Sequence, residues 1–218
     1  MDQNSILIRW VLTHEPIALF EEAARHFRSY VHEASKGALQ VEILTPSEYG
    51  QLRHGRAHRA SPAEVIEDVI AGRLEMSQSY TSALGATHDR LWVLELPFLF
   101  EDHGHAARVL DGDIGRELLD GLLPHGLRGL AFTYSGGYRI ISSTGRRIQR
   151  LEDFQGLRVR CAQNPVAQAL FKRLGATAHP APLQAIPELT ERNQIDAAES
   201  TWPRYRDMGH HRVQPAVN

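Results

Sequence analysis

The sequence predicts an α/β protein with largely parallel sheets. Two observations carry this. Short apolar or alternating runs of strand length recur between stretches of helical period, and capping residues and glycines mark where the helices begin and end. Strand and helix alternate over most of the 218 residues, the pattern of a sheet covered by its own crossover helices.

Ile6–Leu12 is a short, mostly apolar run and reads as the first strand. Pro16 follows at a place suited to the first turn of a helix. Phe20, Ala23, Ala24, Phe27, Tyr30, Val31 and Ala34 recur at three- and four-residue spacing, and Gly37 stops them. Leu39, Val41 and Ile43 alternate with polar residues as a second strand. Residues 49–60, with Gly50, Gly55 and three arginines, read as a surface loop. Ser61-Pro62-Ala63-Glu64 is a capping box opening a helix through Val65, Ile66, Val69 and Ile70.

A third strand is expected within 74–79. Pro97 argues against a central strand over residues 91–100. Ala107, Leu110, Ile114, Leu118 and Leu122 share a stripe and predict one longer helix. Residues 127–133 and 138–143 read as strands around Ser135-Gly136-Gly137. In the next strand Leu157, Val159 and Cys161 point one way, while Arg158 and Arg160 point the other. Asn164-Pro165 opens a helix carrying Val166, Ala169, Leu170 and Leu174.

Hydrophobic residues make up 42% and charged residues 23% of the chain, values of an ordinary globular protein. A net charge of −2 offers no electrostatic handle for nucleic acid or an anionic membrane. No stretch approaches the roughly 20 apolar residues of a bilayer span. Met1 to Arg9 lack the basic segment, apolar run and cleavage site of an export signal. Cys161 is alone, so no intramolecular disulfide forms.

Twelve histidines invite a metal reading, with His54/His58, His103/His105 and His210/His211 the tightest groups. Without a His-Glu-x-x-His motif they read as solvated or helix-capping residues, and no metal or cofactor is expected. Cys161 is in phase with a buried strand face and reads as core. No nucleophile elbow or phosphate loop is present, and Arg146, Arg147 and Arg150 read as a solvated loop. Arg139 and Arg160 stand out because each lies on an apolar strand, where a guanidinium must be paired or wet. A structural ion pair and a ligand site both satisfy that demand.

Several spaced motifs share one order: Gly72-Arg73-Leu74-Glu75-Met76, Leu96-Pro97-Phe98-Leu99-Phe100, Gly137-Tyr138-Arg139, Leu151 through Arg160, Leu174-Gly175-Ala176-Thr177 and Ile195-Asp196-Ala197-Ala198-Glu199. Together they resemble the substrate-binding proteins of TRAP transporters, the DctP-like receptors for organic acids. The resemblance implies a two-domain periplasmic-binding-protein-like clamshell. The first α/β domain would be 1–133, the second 134–202, and 203–218 the start of an interdomain crossing segment. It implies that Arg160 pairs with a ligand carboxylate with help from Arg139, since a planar fork of donors matches a carboxylate bidentately.

Thr13, His14, Tyr80 and Leu183 would shape the cleft. Beside Glu199, where many members carry Asn, this chain has Ser200, and Trp202 close behind could stack on a larger or aromatic acid. The resemblance also implies a periplasmic, non-enzymatic receptor whose partners are a small carboxylate and the permease subunits of a TRAP transporter. Family chains continue beyond the point reached here, so the clamshell is expected to be C-terminally shortened. The alternative is a shortened relative acting as a sensing or interaction module, with a homodimer covering its exposed apolar surface.

Overall fold

The computed structural model describes residues 5–13 and 18–217. Pro16 and His14 lie outside them. The chain gathers into two compact units, Met1–His88 with Gly121–Gly129, and Asp89–Asp120 with Leu130–Asn218. Whereas the sequence reading set its boundary between 133 and 134, packing groups 89–120 and 130–133 with the second unit, and 203–218 stays with that unit as well.

The first unit runs β1 (Ile6–Leu12), α1 (Ala18–Ala34), β2 (Leu39–Leu44), α2 (Pro46–His54), α3 (Pro62–Ile70), β3 (Met76–Gln78) and α4 (Thr81–Leu84). Its sheet has the order β2-β1-β3 with both pairings parallel. β1 is central, and its second half, Trp10 to Leu12, is buried on both faces. Trp10 and Leu12 pack with Phe20, Ala24 and Val41 on one side. Val11 packs with Tyr49, Ala60, Val65 and Leu74 on the other. Each buried Leu, Val or Phe among them contributes about 1.5–3 kcal/mol.

The expected loop at 49–60 is corrected in its first half, because residues 49–54 are helical. Thr45 caps α2, Pro46 occupies its first turn, and Glu48 closes a capping box back onto the Thr45 N–H at 2.8 Å. This Thr-Pro-Ser-Glu signal repeats the Ser-Pro-Ala-Glu that opens α3.

The second unit contains α5 (His103–Leu110), α6 (Asp113–Asp120), β4 (Arg139–Ser143), β5 (Arg158–Cys161), α7 (Pro165–Arg173), β6 (Thr177–Pro180), α8 (Ile186–Glu191), β7 (Ala197–Thr201), α9 (Trp202–Asp207) and β8 (Ala216–Val217). Its sheet order is β6-β5-β7-β4-β8. β5 runs parallel to β6 and β7, while β4 is antiparallel to β7 and β8.

Two further expectations are corrected. The single long helix is two, α5 and α6, broken at Asp111-Gly112. A Cβ on Gly115 would lie 1.8 Å from the Leu110 carbonyl oxygen, so the two helices meet closer than any other residue permits. Residues 127–133 form no strand, because both edges of β4 are already taken by β7 and β8.

Leu157, Val159 and Cys161 do share one buried face, with Phe154, Phe171 and Ala197. On the opposite face Ala198 packs with Ile186 and Ile195. Asn164 caps α7 by accepting the Ala167 N–H at 2.8 Å.

Candidate functional site

The β5–β7 pairing builds the most polar buried region of the second unit. Arg160 stands opposite Ala198 in register, so pleat alternation sends Arg160, Ala198 and Ser200 to one face. Arg160 is only 4% exposed. Its Nε donates to the Ala181 carbonyl at 2.7 Å and its Nη1 to the Glu199 carbonyl at 3.0 Å. These two neutral carbonyls set the plane of the guanidinium without cancelling its charge.

Arg139 lies opposite Thr201, which places it diagonally beside Glu199 on the other face. Its Nε and Nη2 donate to the two carboxylate oxygens of Glu199, and the Ala162 N–H adds a 2.6 Å bond. Burial alone would raise the Glu199 pKa. The charge and hydrogen bonds of Arg139, the Ala162 N–H and the charge of Arg160 outweigh it and hold the carboxyl below its usual range. Arg139, Arg160 and Glu199 together carry one net positive charge.

Ser200 and Thr201 are 2% and 3% exposed, and their hydroxyls have no hydrogen-bond partner in the fold. His210, also buried, makes no hydrogen bond of normal geometry through either ring nitrogen. Burial first, and then the charge of Arg160, push its imidazolium pKa down to about 4, against an upward pull from the Leu183 backbone. The ring is neutral near pH 7. Buried polar atoms that the fold leaves unsatisfied call for a partner such as an ordered water or a ligand group.

The other predicted site residues divide between the units. Thr13 and Tyr80 belong to the first. Thr13 is buried and its hydroxyl donates to the Gln78 carbonyl at 2.6 Å, tying the ends of β1 and β3. Tyr80 is half-buried at the N-terminus of α4. In the second unit Leu183 is half-buried against Ile186, Ile195 and Ala198. Trp202 begins α9, half-exposed, with its ring 5.7 Å from that of Tyr205. His14 lies outside the described residues.

Cys161 is core, its thiol pushed up to about 11 mainly by burial. A shallow depression of about 330 Å³ is lined by Leu151, Glu152, Gln155, Leu170, Arg173 and Leu174, none of them a predicted site residue.

Sequence reasoning missed His210 as a neighbour of Arg160, and it missed the buried Arg204, which donates to Ser135 at 3.1 Å. Neither follows a periodic pattern. Both depend on how residues 202–217 fold against the sheet. The signal available was the run of polar residues after β7 that stays within the second unit.

The family model for bacterial extracellular solute-binding protein, family 7 (DctP), matches residues 13–218. The chain belongs to this family. Family 7 comprises solute-binding proteins of transporters rather than enzymes, and its members are periplasmic solute receptors. The C4-dicarboxylate-binding protein DctB of Bacillus subtilis is 31% identical over 179 residues, which are 82% of this chain and 48% of DctB. The 2,3-diketo-L-gulonate-binding periplasmic protein YiaO of Escherichia coli is 29% identical, covering 89% of this chain and 60% of YiaO. The chain thus spans about half the length of the curated relatives it matches.

Among solved structures, the sugar acid binding protein DctPAm of Advenella mimigardefordensis in complex with galactonate is similar at a TM-score of 0.85 and 28% identity, covering 99% of this chain and 66% of that one. A TRAP periplasmic solute binding protein of Xanthobacter autotrophicus with bound β-D-galacturonate matches at 0.82 and 29%, covering 95% and 65%. Membership in family 7 places the chain, with its α/β fold, among the TRAP-type, DctP-like solute-binding proteins, a class whose members bind small carboxylates and work with membrane permease components.

Proposed function

We propose that this chain serves as the periplasmic receptor of a TRAP transporter, capturing a small hydroxylated carboxylic acid through Arg160 and delivering it to a membrane permease. The observation that carries the reading is the buried Arg160 guanidinium, oriented by the Ala181 and Glu199 carbonyls. A carboxylate paired there gains charge-assisted, bidentate hydrogen bonds worth on the order of 1.5–3 kcal/mol net. Arg139 acts through Glu199: by holding that carboxylate it keeps the end of β7 in place beside Arg160.

The unpartnered hydroxyl of Ser200, on the same face as Arg160, and the neutral His210 favour a ligand with hydroxyl groups next to its acid. The relatives with bound galactonate, β-D-galacturonate and D-erythronate support this class. Calorimetric titration of aldonates, uronates, C4-dicarboxylates and an uncharged sugar alcohol tests it. A sugar acid should bind, the sugar alcohol should not, and Arg160→Ala should weaken binding roughly a hundredfold with circular dichroism unchanged. Failure of every acid, or full binding by Arg160→Ala, sinks the reading.

A further inference from the structure

The end of α2, the loop after it and the first turn of α3 bring His54, His58 and Glu64 together, with one ligand atom from each lying within 4.8 Å of the others. We infer that these three residues form a binding site for a divalent transition-metal ion of the zinc class, built wholly within the first unit and separate from the carboxylate site.

Glu64 Oε1 lies 3.0 Å from His58 Nε2 and 3.7 Å from His54 Nε2. Ligands about 2.0–2.1 Å from a tetrahedral zinc ion are separated by about 3.3 Å along each edge, so the two distances bracket the required spacing. The longer one exceeds hydrogen-bonding range, and hydrogen bonding alone therefore does not account for the approach of His54. The two rings pack edge to face with centroids 4.4 Å apart, and both Nε2 atoms lie within 4 Å of the same carboxylate oxygen.

The site is held from behind. Oε2, the other oxygen of Glu64, accepts the Ser61 N–H at 2.8 Å in the capping box, and the Ser61 hydroxyl accepts the Glu64 N–H in return. Oε1 is thereby turned toward the histidines.

Gly55 ends α2 in the left-handed region at φ 66°, which turns the chain back after His54. The returning loop then lies directly on the helix. A Cβ on Gly50 would come within 2.1 Å of the His58 carbonyl oxygen, and the Ala60 N–H bonds the Pro46 carbonyl at 3.1 Å. Such backing holds ligand side chains in the geometry a metal needs. The His54, His58 and Glu64 side chains are each about one-third exposed, which admits the ion and leaves a coordination position to water. Two imidazoles and one carboxylate suit zinc, nickel or copper over magnesium or calcium.

The test is zinc titration of the full chain, stripped of metal and of any affinity tag, followed by calorimetry, thermal melting and cobalt absorption. One equivalent of zinc should bind and raise Tm, and cobalt should give a four- or five-coordinate spectrum. His54→Ala, His58→Ala and Glu64→Gln should each weaken binding roughly tenfold or more, while His211→Gln leaves it intact. Glutamine can keep the capping box, so a loss in Glu64→Gln reports the ligand and not the helix. Absence of stoichiometric zinc, or binding that survives these three substitutions, overturns the inference.

Discussion

Arg139 lays both arms of its guanidinium on the buried carboxylate of Glu199, at 2.8 and 2.9 Å, from a side chain that is itself almost half exposed. The two partners are therefore unequal. Arg139→Ala strands a charge in the sheet and should cost about 3 kcal/mol. Glu199→Gln lets Arg139 return to water and should cost less, about 1–2 kcal/mol. Urea unfolding of the single and double variants should give a coupling of about 1–3 kcal/mol. The folded pKa of Glu199 is below its unfolded value of 4.5, so its contribution is present above pH 4.5 and lost as pH falls through the folded pKa. In Glu199→Gln that acid-side loss should vanish.

His210 titrates in the opposite sense to a stabilising histidine. Its folded pKa of about 4 lies below the unfolded 6.5, so between these values the unfolded chain binds a proton that the native state refuses. Stability should fall as pH drops from 6.5 to 4, by up to roughly 3 kcal/mol from this group. His210→Gln should flatten that part of the wild-type curve in denaturation measured across the pH range. An unchanged slope would place the ring in contact with water.

Asp68, 1% exposed, accepts from the Tyr49 hydroxyl at 2.6 Å and pairs with Arg53 and Arg73 at 2.7 Å each. Asp68→Ala should destabilise the first unit by about 3–5 kcal/mol, whereas Tyr49→Phe should cost about 1 kcal/mol. Burial and the Asp68 carboxylate push the Tyr49 hydroxyl up to about 12. Alkaline absorption titration should show Tyr49 and the buried Tyr205 ionising late, and Asp68→Asn should bring only Tyr49 earlier.

Gly115→Ala drives a methyl group into the Leu110 carbonyl, an approach of 1.8 Å that no rotamer relieves. The gap between α5 and α6 must open, at a cost of about 2 kcal/mol or more. Thermal melting should show it, and Gly104→Ala, where the Cβ would meet only side-chain atoms at 3.3 Å, serves as the mild control.

Most of this fold was legible because its signals are local. β1, the capping box of α3, the cap at Asn164 and the phase of Leu157, Val159 and Cys161 all need only a few adjacent residues. The helix at Pro46–His54 was equally local, but glycine and arginine content outweighed its capping signal. What failed was non-local. Residues 127–133 have strand character, yet the edges of β4 belong to segments far along the chain. Arg160 was legible as an arginine opposite a buried face. The carbonyls that orient it come from residues 181 and 199, and the neighbouring His210 from a segment without period. His54 and His58 were visible as a pair, while Glu64 had already been read as a capping residue and serves in both arrangements.

β1 occupies the middle of its sheet although it precedes both strands that flank it. During synthesis Trp10, Val11 and Leu12 are made well before β2 and β3 exist to hydrogen-bond them, and parallel pairing cannot be met by a nearby hairpin. An apolar strand with two open edges is a template for other chains. The segment that anchors the first unit is thus also the one that stays open to wrong pairing until residue 78 has been made.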